Sequence, residues 1–109
     1  MKRGEIWTLS GGPGYAGKPR PALVVQSDLA LETPSVLTCG FTTQASEDVP
    51  LRPLMLPSAG NGLAWPSNLM SEKITAVPRS RMGRRVGVLS EEEMARTDQA
   101  LQLVMGFAG

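Results

Sequence analysis

Over the first 89 residues, apolar positions come in short runs that are interrupted by glycine, proline and asparagine. Runs of this length, rich in valine, isoleucine and leucine, are typical of β-strands that are joined by tight turns. The pattern predicts six strands, which span residues 5–9, 21–26, 36–41, 51–56, 69–77 and 85–89. Short strands at close spacing favour a small barrel over a parallel sheet.

The connections between these runs carry their own signals. Residues 10–19 hold four glycines and two prolines, which predicts a mobile loop. Asn61-Gly62 is a strong tight-turn signal, and residues 78–83 form another predicted turn. Pro50 and Pro53 flank or interrupt the fourth predicted strand, which therefore belongs at an edge or contains a bulge.

The pattern changes after residue 89, where apolar residues recur at helical spacing. Ser90 followed three positions later by Glu93 is a capping box, and the acidic run 91–93 suits the positive end of a helix dipole. These signals predict a helix over residues 91–105 that packs one apolar face on the sheet. The residues of that face are Met94, Thr97, Leu101, Val104 and Met105.

The absence of histidine and the single cysteine limit the possible reaction mechanisms more than any residue that is present. The chain has no histidine and a single cysteine, Cys39, for which we expect a buried, reduced position in an apolar strand. Zinc sites built from thiolate and imidazole are therefore not expected, and serine-histidine-aspartate and cysteine-histidine catalysis are excluded. We expect neither a metal nor a cofactor. Any enzyme must work with carboxylates, arginines, hydroxyls or backbone groups.

Chain length and net charge limit the number of domains and the possible ways of binding a partner. The 109 residues, 41% of them hydrophobic, fit one domain over residues 1–109. The net charge of +1 is too small for nucleic-acid binding by bulk charge, so such binding would need local clusters of positive residues. The first residues contain no apolar run typical of a signal peptide, and no segment is long enough to span a membrane, which favours a cytoplasmic location.

Metal-free cleavage of RNA needs only the residue types that this chain offers. The 2′-hydroxyl is the nucleophile, so the protein must help to remove its proton, stabilise an anionic phosphorane and protonate the departing 5′ oxygen. An arginine fork suits the phosphorane, a hydroxyl can hold the phosphate, and a carboxylate can act as base. Arg20 between two prolines, Thr42 and Thr43 after the third strand, and Glu72 in the fifth strand are the candidates.

Each candidate also has an ordinary structural interpretation. Arg20 is also explained as a solvated residue at a strand start, the threonines as turn caps, and Glu72 as the surface partner of Lys73. Four arginines within seven residues, at positions 79, 81, 84 and 85, either hold a phosphate backbone or form a solvated turn that pairs with acids. Trp7 and Trp65 either stack on bases or pack in a core or interface.

Taken in order, these segments resemble the MazF/PemK toxin family over nearly the whole chain. Each motif is moderately specific, and their order strengthens the match. The matching stretches are Lys2-Arg3-Gly4-Glu5-Ile6-Trp7, residues 17–26 with Lys18-Pro19-Arg20-Pro21, Phe41-Thr42-Thr43, Asn61-Gly62-Leu63, Pro66-Ser67, Glu72-Lys73-Ile74-Thr75 and Val77-Pro78-Arg79-Ser80-Arg81-Met82-Gly83.

The resemblance implies a mainly β, SH3-like barrel of the CcdB/PemK type with a C-terminal helix. It also assigns roles: Arg20, Thr42 and Glu72 would be catalytic, with Thr43 as the adjacent alternative to Thr42 for the phosphate contact. The family often has aspartate where this chain has Glu72. The loop from residue 10 to 18 would gate the substrate groove. The residues implied to bind substrate are Lys18, Thr43, Ser67, Arg79 and Arg81.

The same resemblance implies a function and partners. The protein would be a homodimeric endoribonuclease that cuts single-stranded RNA at short sequences, with a 2′,3′-cyclic phosphate and a 5′-hydroxyl as products. A cognate antitoxin with an acidic tail would block its groove. Two alternatives remain open at this point: a topoisomerase (gyrase) poison on the same barrel, and an RNA-binding module without catalytic activity.

Overall fold

The protein is described by a computed structural model that covers residues 1–10, 18–30 and 33–107. Most of the glycine-rich loop predicted over residues 10–19 lies outside the described residues. Six strands and one long helix are present in the described part. They are β1 (Glu5–Leu9), β2 (Arg20–Val24), β3 (Ser35–Thr42), β4 (Leu54–Met55), β5 (Ser67–Pro78), β6 (Met82–Val88) and α1 (Glu91–Met105).

The six strands form one antiparallel sheet, in the order β4-β5-β3-β2-β1-β6. Only a single 3₁₀ turn, Arg79–Arg81, separates the end of β5 from the start of β6, although these strands are far apart in the sheet order. The sheet must therefore curl strongly, and it forms a half-barrel. The mainly β fold with a C-terminal helix that the resemblance implied is confirmed.

The fourth strand was predicted to lie at an edge or to contain a bulge, and it lies at the edge, because β4 pairs only with β5. The strand itself is shorter than the predicted 51–56. Arg52 folds back on Val49, with its backbone N–H donating to the Val49 carbonyl at 3.0 Å, so strand pairing starts only after Pro53. The turn predicted over 78–83 is shorter than expected, since β6 already begins at Met82.

Side chains on the two faces of the sheet form separate apolar clusters. The larger cluster lies between the sheet and α1 and includes Ile6, Leu23, Cys39 and Leu101. Burial raises the pKa of the Cys39 thiol to about 11, with a smaller contribution from Glu72. The cysteine is buried and not part of a disulfide, as expected. The smaller cluster lies on the other face and contains Val24, Val36, Val77 and Met82.

Helix α1 has the predicted boundaries. The Ser90 hydroxyl accepts from the Glu93 N–H at 3.1 Å and the Glu93 carboxylate accepts from the Ser90 N–H at 2.9 Å, which is the predicted capping box. Thr97 and Leu101 are buried as expected, but Met105 is 53% exposed. The predicted apolar face is therefore only partly buried at its last position, where Met105 borders a groove with Leu37 and Ile74 of the sheet. No helix of the described residues is long and apolar enough to cross a membrane.

Candidate active site

A hollow opens on the sheet face where β2 begins and β3 ends. The two strands pair with Ala22 opposite Gly40 and Val24 opposite Thr38. Continued by two residues, this register sets Arg20 opposite Thr42. Residues two apart on a strand share a face, so Arg20 and Thr42 lie on the same face as Ala22 and Gly40. Because alanine and glycine fill little volume, the floor of the hollow stays open.

The hollow is a cavity of about 440 Å³, within the range of small-ligand sites. One part of its wall is polar and contains Arg20 and a set of threonine hydroxyls. The other part is apolar and contains Leu9, Phe41 and Met70. The described lining residues are Leu9, Arg20, Pro21, Ala22, Thr38, Gly40, Phe41, Thr42, Thr43, Gln44, Met70, Lys73 and Thr75.

The hydroxyls of this wall differ in whether they already donate a hydrogen bond within the protein. Thr38 is buried and its hydroxyl donates to the Thr75 carbonyl at 3.3 Å, so it is a structural group. The Thr42 hydroxyl oxygen accepts from the Gln44 N–H at 3.3 Å. That contact fixes the Thr42 oxygen and leaves its proton for another acceptor. A guanidinium beside such a donor suits the oxygens of a phosphate.

Strand β5 contains a bulge that separates two neighbouring charged residues. Cys39 pairs with Ile74 and Phe41 with Leu69, so four β5 residues, Met70 to Lys73, face Gly40 alone. Lys73 lines the cavity, whereas Glu72 does not. Glu72 instead forms a bidentate ion pair with Arg52, one bond of which is 3.2 Å long. Arg52 holds the pKa of the Glu72 carboxyl below its ordinary value.

The other predicted site residues lie outside the cavity wall. Ser67 is buried, and its hydroxyl donates to the Trp65 carbonyl at 2.8 Å. Arg79 and Arg81 donate from Nε to the carbonyls of Thr33 and Ser10, at 2.6 and 3.1 Å. Lys18 is exposed and two residues before Arg20. The structure thus brings together Arg20, Thr42 and Thr43, and it does not bring Glu72, Ser67, Arg79, Arg81 or Lys18 to the cavity wall.

The remaining members of the arginine and tryptophan sets have separate surroundings. Arg85 Nε lies 3.3 Å from the Glu5 carboxylate. Burial raises the Glu5 pKa, but hydrogen bonds from Lys2 and Trp7 and the charge of Arg85 together hold it below its ordinary value. Trp7 packs partly buried on the smaller apolar cluster, whereas Trp65 is 68% exposed. Trp65 therefore does not pack in the core of this chain, and base stacking and interface packing stay predictions for it.

Sequence reasoning missed two residues that shape the site. Lys73 was considered only as a neighbour of Glu72, and the signal that places it in the cavity is the strand bulge. Asn68 is fully buried, and its side chain accepts from the Ser46 N–H at 2.7 Å and donates to the carbonyls of Glu47 and Arg52, at 3.2 and 2.8 Å. It thereby holds the segment that follows Thr42 and Thr43.

A curled sheet with one C-terminal helix and a strand-end cavity is the architecture of a known class of small toxins. The chain belongs to the family of PemK-like, MazF-like toxins of type II toxin-antitoxin systems, whose model matches residues 2–105. It is 44% identical over 109 residues to the probable endoribonuclease MazF of Mycolicibacterium smegmatis, with 100% of both chains covered.

Two further relatives agree. The chain is 31% identical to endoribonuclease MazF9 of Mycobacterium tuberculosis, with 94% of each chain covered. Among solved structures, an endoribonuclease in complex with its cognate antitoxin from a mycobacterial species superposes with a TM-score of 0.82. That match covers 100% of this chain and 98% of the other at 19% identity, so it supports the fold.

Proposed function

We propose that the chain, a single toxin domain over residues 1–109, is a metal-independent endoribonuclease that cuts single-stranded RNA and so inhibits translation and growth. The observation that carries this proposal is the shared cavity of Arg20 and Thr42, which is lined by a guanidinium and hydroxyls. Both groups bind phosphate oxygens without a metal ion. The relatives in M. smegmatis and M. tuberculosis carry the name endoribonuclease, which supports the same reaction.

In the proposed reaction the 2′ oxygen of the RNA attacks the adjacent phosphorus, and the bond from phosphorus to the 5′ oxygen breaks. The 2′ oxygen loses its proton and the 5′ oxygen gains one, which leaves a 2′,3′-cyclic phosphate and a 5′-hydroxyl. Arg20 stabilises the phosphorane and supplies a donor near the leaving oxygen. Thr42 donates to a phosphate oxygen, and Thr43 and Gln44 contact the adjoining RNA.

The base for the 2′-hydroxyl is a prediction, as are the roles of Arg20 and Thr42. Glu72 is the sequence candidate, and its carboxylate accepts from Arg52 outside the cavity wall, so the base role requires Arg52 to release it. Lys18, Ser67, Arg79 and Arg81 likewise stay predictions for RNA binding. For Arg81 this role would use the N–H groups that do not bind the Ser10 carbonyl.

The proposal includes two protein partners and a location. A relative of the same fold is described in complex with its cognate antitoxin, which supports a MazE/PemI-like antitoxin as a partner of this chain. We also propose that the protein is a cytoplasmic homodimer. Support for a second copy is the group of exposed apolar side chains beside α1, which includes Leu37, Met105 and Phe107.

The proposal is tested with purified protein, a single-stranded RNA and EDTA. The wild type should cut in EDTA, and Arg20→Ala should lose about 100-fold to 1000-fold or more in rate while keeping its circular-dichroism spectrum. Lys2→Ala is the control, because Lys2 is an exposed cation outside the cavity wall, and its rate should not change.

Loss of cutting in EDTA would contradict the metal-independent reaction. Binding of RNA without cutting by the wild type would support the non-catalytic module instead. A halt of DNA synthesis before any RNA loss, in cells that express the chain, would support the topoisomerase poison. Mapping of RNA 5′ ends after a short expression pulse would give the cleavage sequence.

A further inference from the structure

The bulge in β5 places neighbouring side chains of this strand in two different environments. Ser71 is buried, and its hydroxyl donates to the Leu51 carbonyl, while Glu72 binds Arg52. Both residues therefore serve the segment that leads to β4. Met70 and Lys73 line the cavity instead. Gly40 allows this arrangement, because a Cβ at position 40 would lie only 3.1 Å from Cε of Met70.

Two basic residues line the cavity. Arg20 and Lys73 are cations, and no carboxylate is found among the described residues that line the cavity. The charge of Lys73 acts on Glu72 and helps to lower its pKa, after the larger effect of Arg52. The direct contacts of that carboxylate nevertheless go to Arg52, and the Lys73 ammonium forms no ion pair within 4.0 Å with any described residue.

Two cations that share a hollow with hydroxyl donors form a site for an anion. A guanidinium offers a planar pair of donors, whereas an ammonium is a compact point charge on a flexible stem that follows a moving oxygen. The two groups are therefore complementary rather than redundant. The cavity wall also contains Leu9, Phe41 and Met70, and a polar part together with an apolar part suits a phosphate with a base attached.

We propose that Lys73 is a further substrate-binding residue of the nuclease, whose ammonium binds an oxygen of the RNA phosphate that Arg20 and Thr42 hold. The inference rests on the proposed function and adds a contact that neither the sequence motifs nor the spacing indicated. In this arrangement Glu72 is kept away by Arg52, so the Lys73 charge stays available to the substrate.

The test compares Lys73→Gln, Lys73→Arg and the control Lys2→Gln, in which an exposed lysine outside the cavity wall is neutralised. We expect Lys73→Gln to lower kcat/KM by about tenfold or more and Lys73→Arg to restore most of it. Loss of one phosphate contact should also reduce the slope of log kcat/KM against log salt by about 0.7 for single-stranded RNA. Lys2→Gln should match the wild type in both measurements.

A second measurement separates substrate binding from catalysis. Binding of an RNA with a 2′-deoxy sugar at the cleavage position, which lacks the nucleophile, should weaken in Lys73→Gln and keep its wild-type salt slope in Lys73→Arg. If the wild type cuts RNA and Lys73→Gln shows the same kcat/KM and the same salt slope, only the Lys73 assignment is overturned. Absence of cutting by both the wild type and Lys2→Gln would overturn the proposed function itself.

Discussion

At the scale of single residues, the pairing of Glu72 with Arg52 decides which charges reach the cavity. Arg52→Ala and Glu72→Gln both break this ion pair, but only Glu72→Gln removes the carboxylate. If Glu72 is the base, Arg52→Ala frees the carboxylate and should keep cutting, whereas Glu72→Gln should lose about 100-fold or more in rate, measured by single-turnover kinetics. Equal rates for the two variants would contradict the base role of Glu72.

The same ion pair makes a specific contribution to the pH dependence of stability. Arg52 lowers the pKa of Glu72 in the folded protein. A lowered folded-state pKa means that the pair stabilises the protein above the ordinary glutamate pKa of about 4.3, and that this contribution is lost as the pH falls below it. The contribution is small because both side chains are about one-third exposed.

We expect the difference in Tm between wild type and Glu72→Gln, measured by thermal unfolding, to shrink from pH 7 to pH 3. Glu5, whose pKa is also lowered, stays in both proteins and serves as the internal reference. A Tm difference that stays constant over this range would show that the pair adds nothing to the acid sensitivity.

At the scale of elements, Asn68 connects β5 to the segment between Thr42 and β4. Asn68→Ala would leave the Ser46 N–H and the Glu47 and Arg52 carbonyls without their partner, which should cost about 2 to 4 kcal/mol in the free energy of unfolding. Because the same segment carries Thr43 and Gln44 into the cavity, kcat/KM for RNA should also fall at a temperature where the variant is folded.

Ser90→Ala is the control for this prediction. It removes a helix cap far along the chain from the cavity wall, at a cost of about 1 kcal/mol, and should leave kcat/KM unchanged. Urea unfolding gives the stabilities of both variants. Equal kcat/KM values for Asn68→Ala and Ser90→Ala would mean that Asn68 supports the fold but does not position the site.

Helix α1 could be predicted to its end residues because its signals are local: a cap, an acidic first turn and a stop at Gly106, which adopts the left-handed conformation. The number of strands followed from short apolar runs between turn residues, and the choice of an edge or a bulge for β4 followed from proline, in the same local way. Strand ends were less accurate. The start of β6 at Met82 depends on pairing with Leu9 across the sheet, and no residue near Met82 encodes that contact.

The site residues likewise divide into those that local sequence could predict and those whose placement depends on strand pairing. Arg20 and Thr42 were proposed from chemistry and resemblance, and the register between β2 and β3 places them on one wall. Glu72 and Lys73 are adjacent in the sequence, so which of the two faces the cavity depends on the bulge opposite Gly40. A bulge shifts every later side chain to the other face. Alternation alone could not show where that shift occurs.

At the scale of the whole molecule, some of the apolar side chains that are exposed in the single chain lie close to one another. Leu37 on β3 and Met105 and Phe107 at the end of α1 border a groove of about 410 Å³, and they are 41%, 53% and 77% exposed. A chain of this length buries only about two-thirds of the surface of its unfolded form, so covering such a group by a second copy would add stability.

We therefore expect the 11.6 kDa chain to sediment as a dimer at micromolar concentration, and its Tm to rise with protein concentration. Leu37→Asp places a charge in the middle of the exposed group and should shift the protein toward monomer by at least tenfold in dissociation constant. Leu29→Asp is the matched control, since Leu29 is 97% exposed and outside the groove, and it should remain dimeric. A wild type that sediments as a monomer would contradict the homodimer, whereas a dimer that tolerates Leu37→Asp would place its interface on another face of the half-barrel.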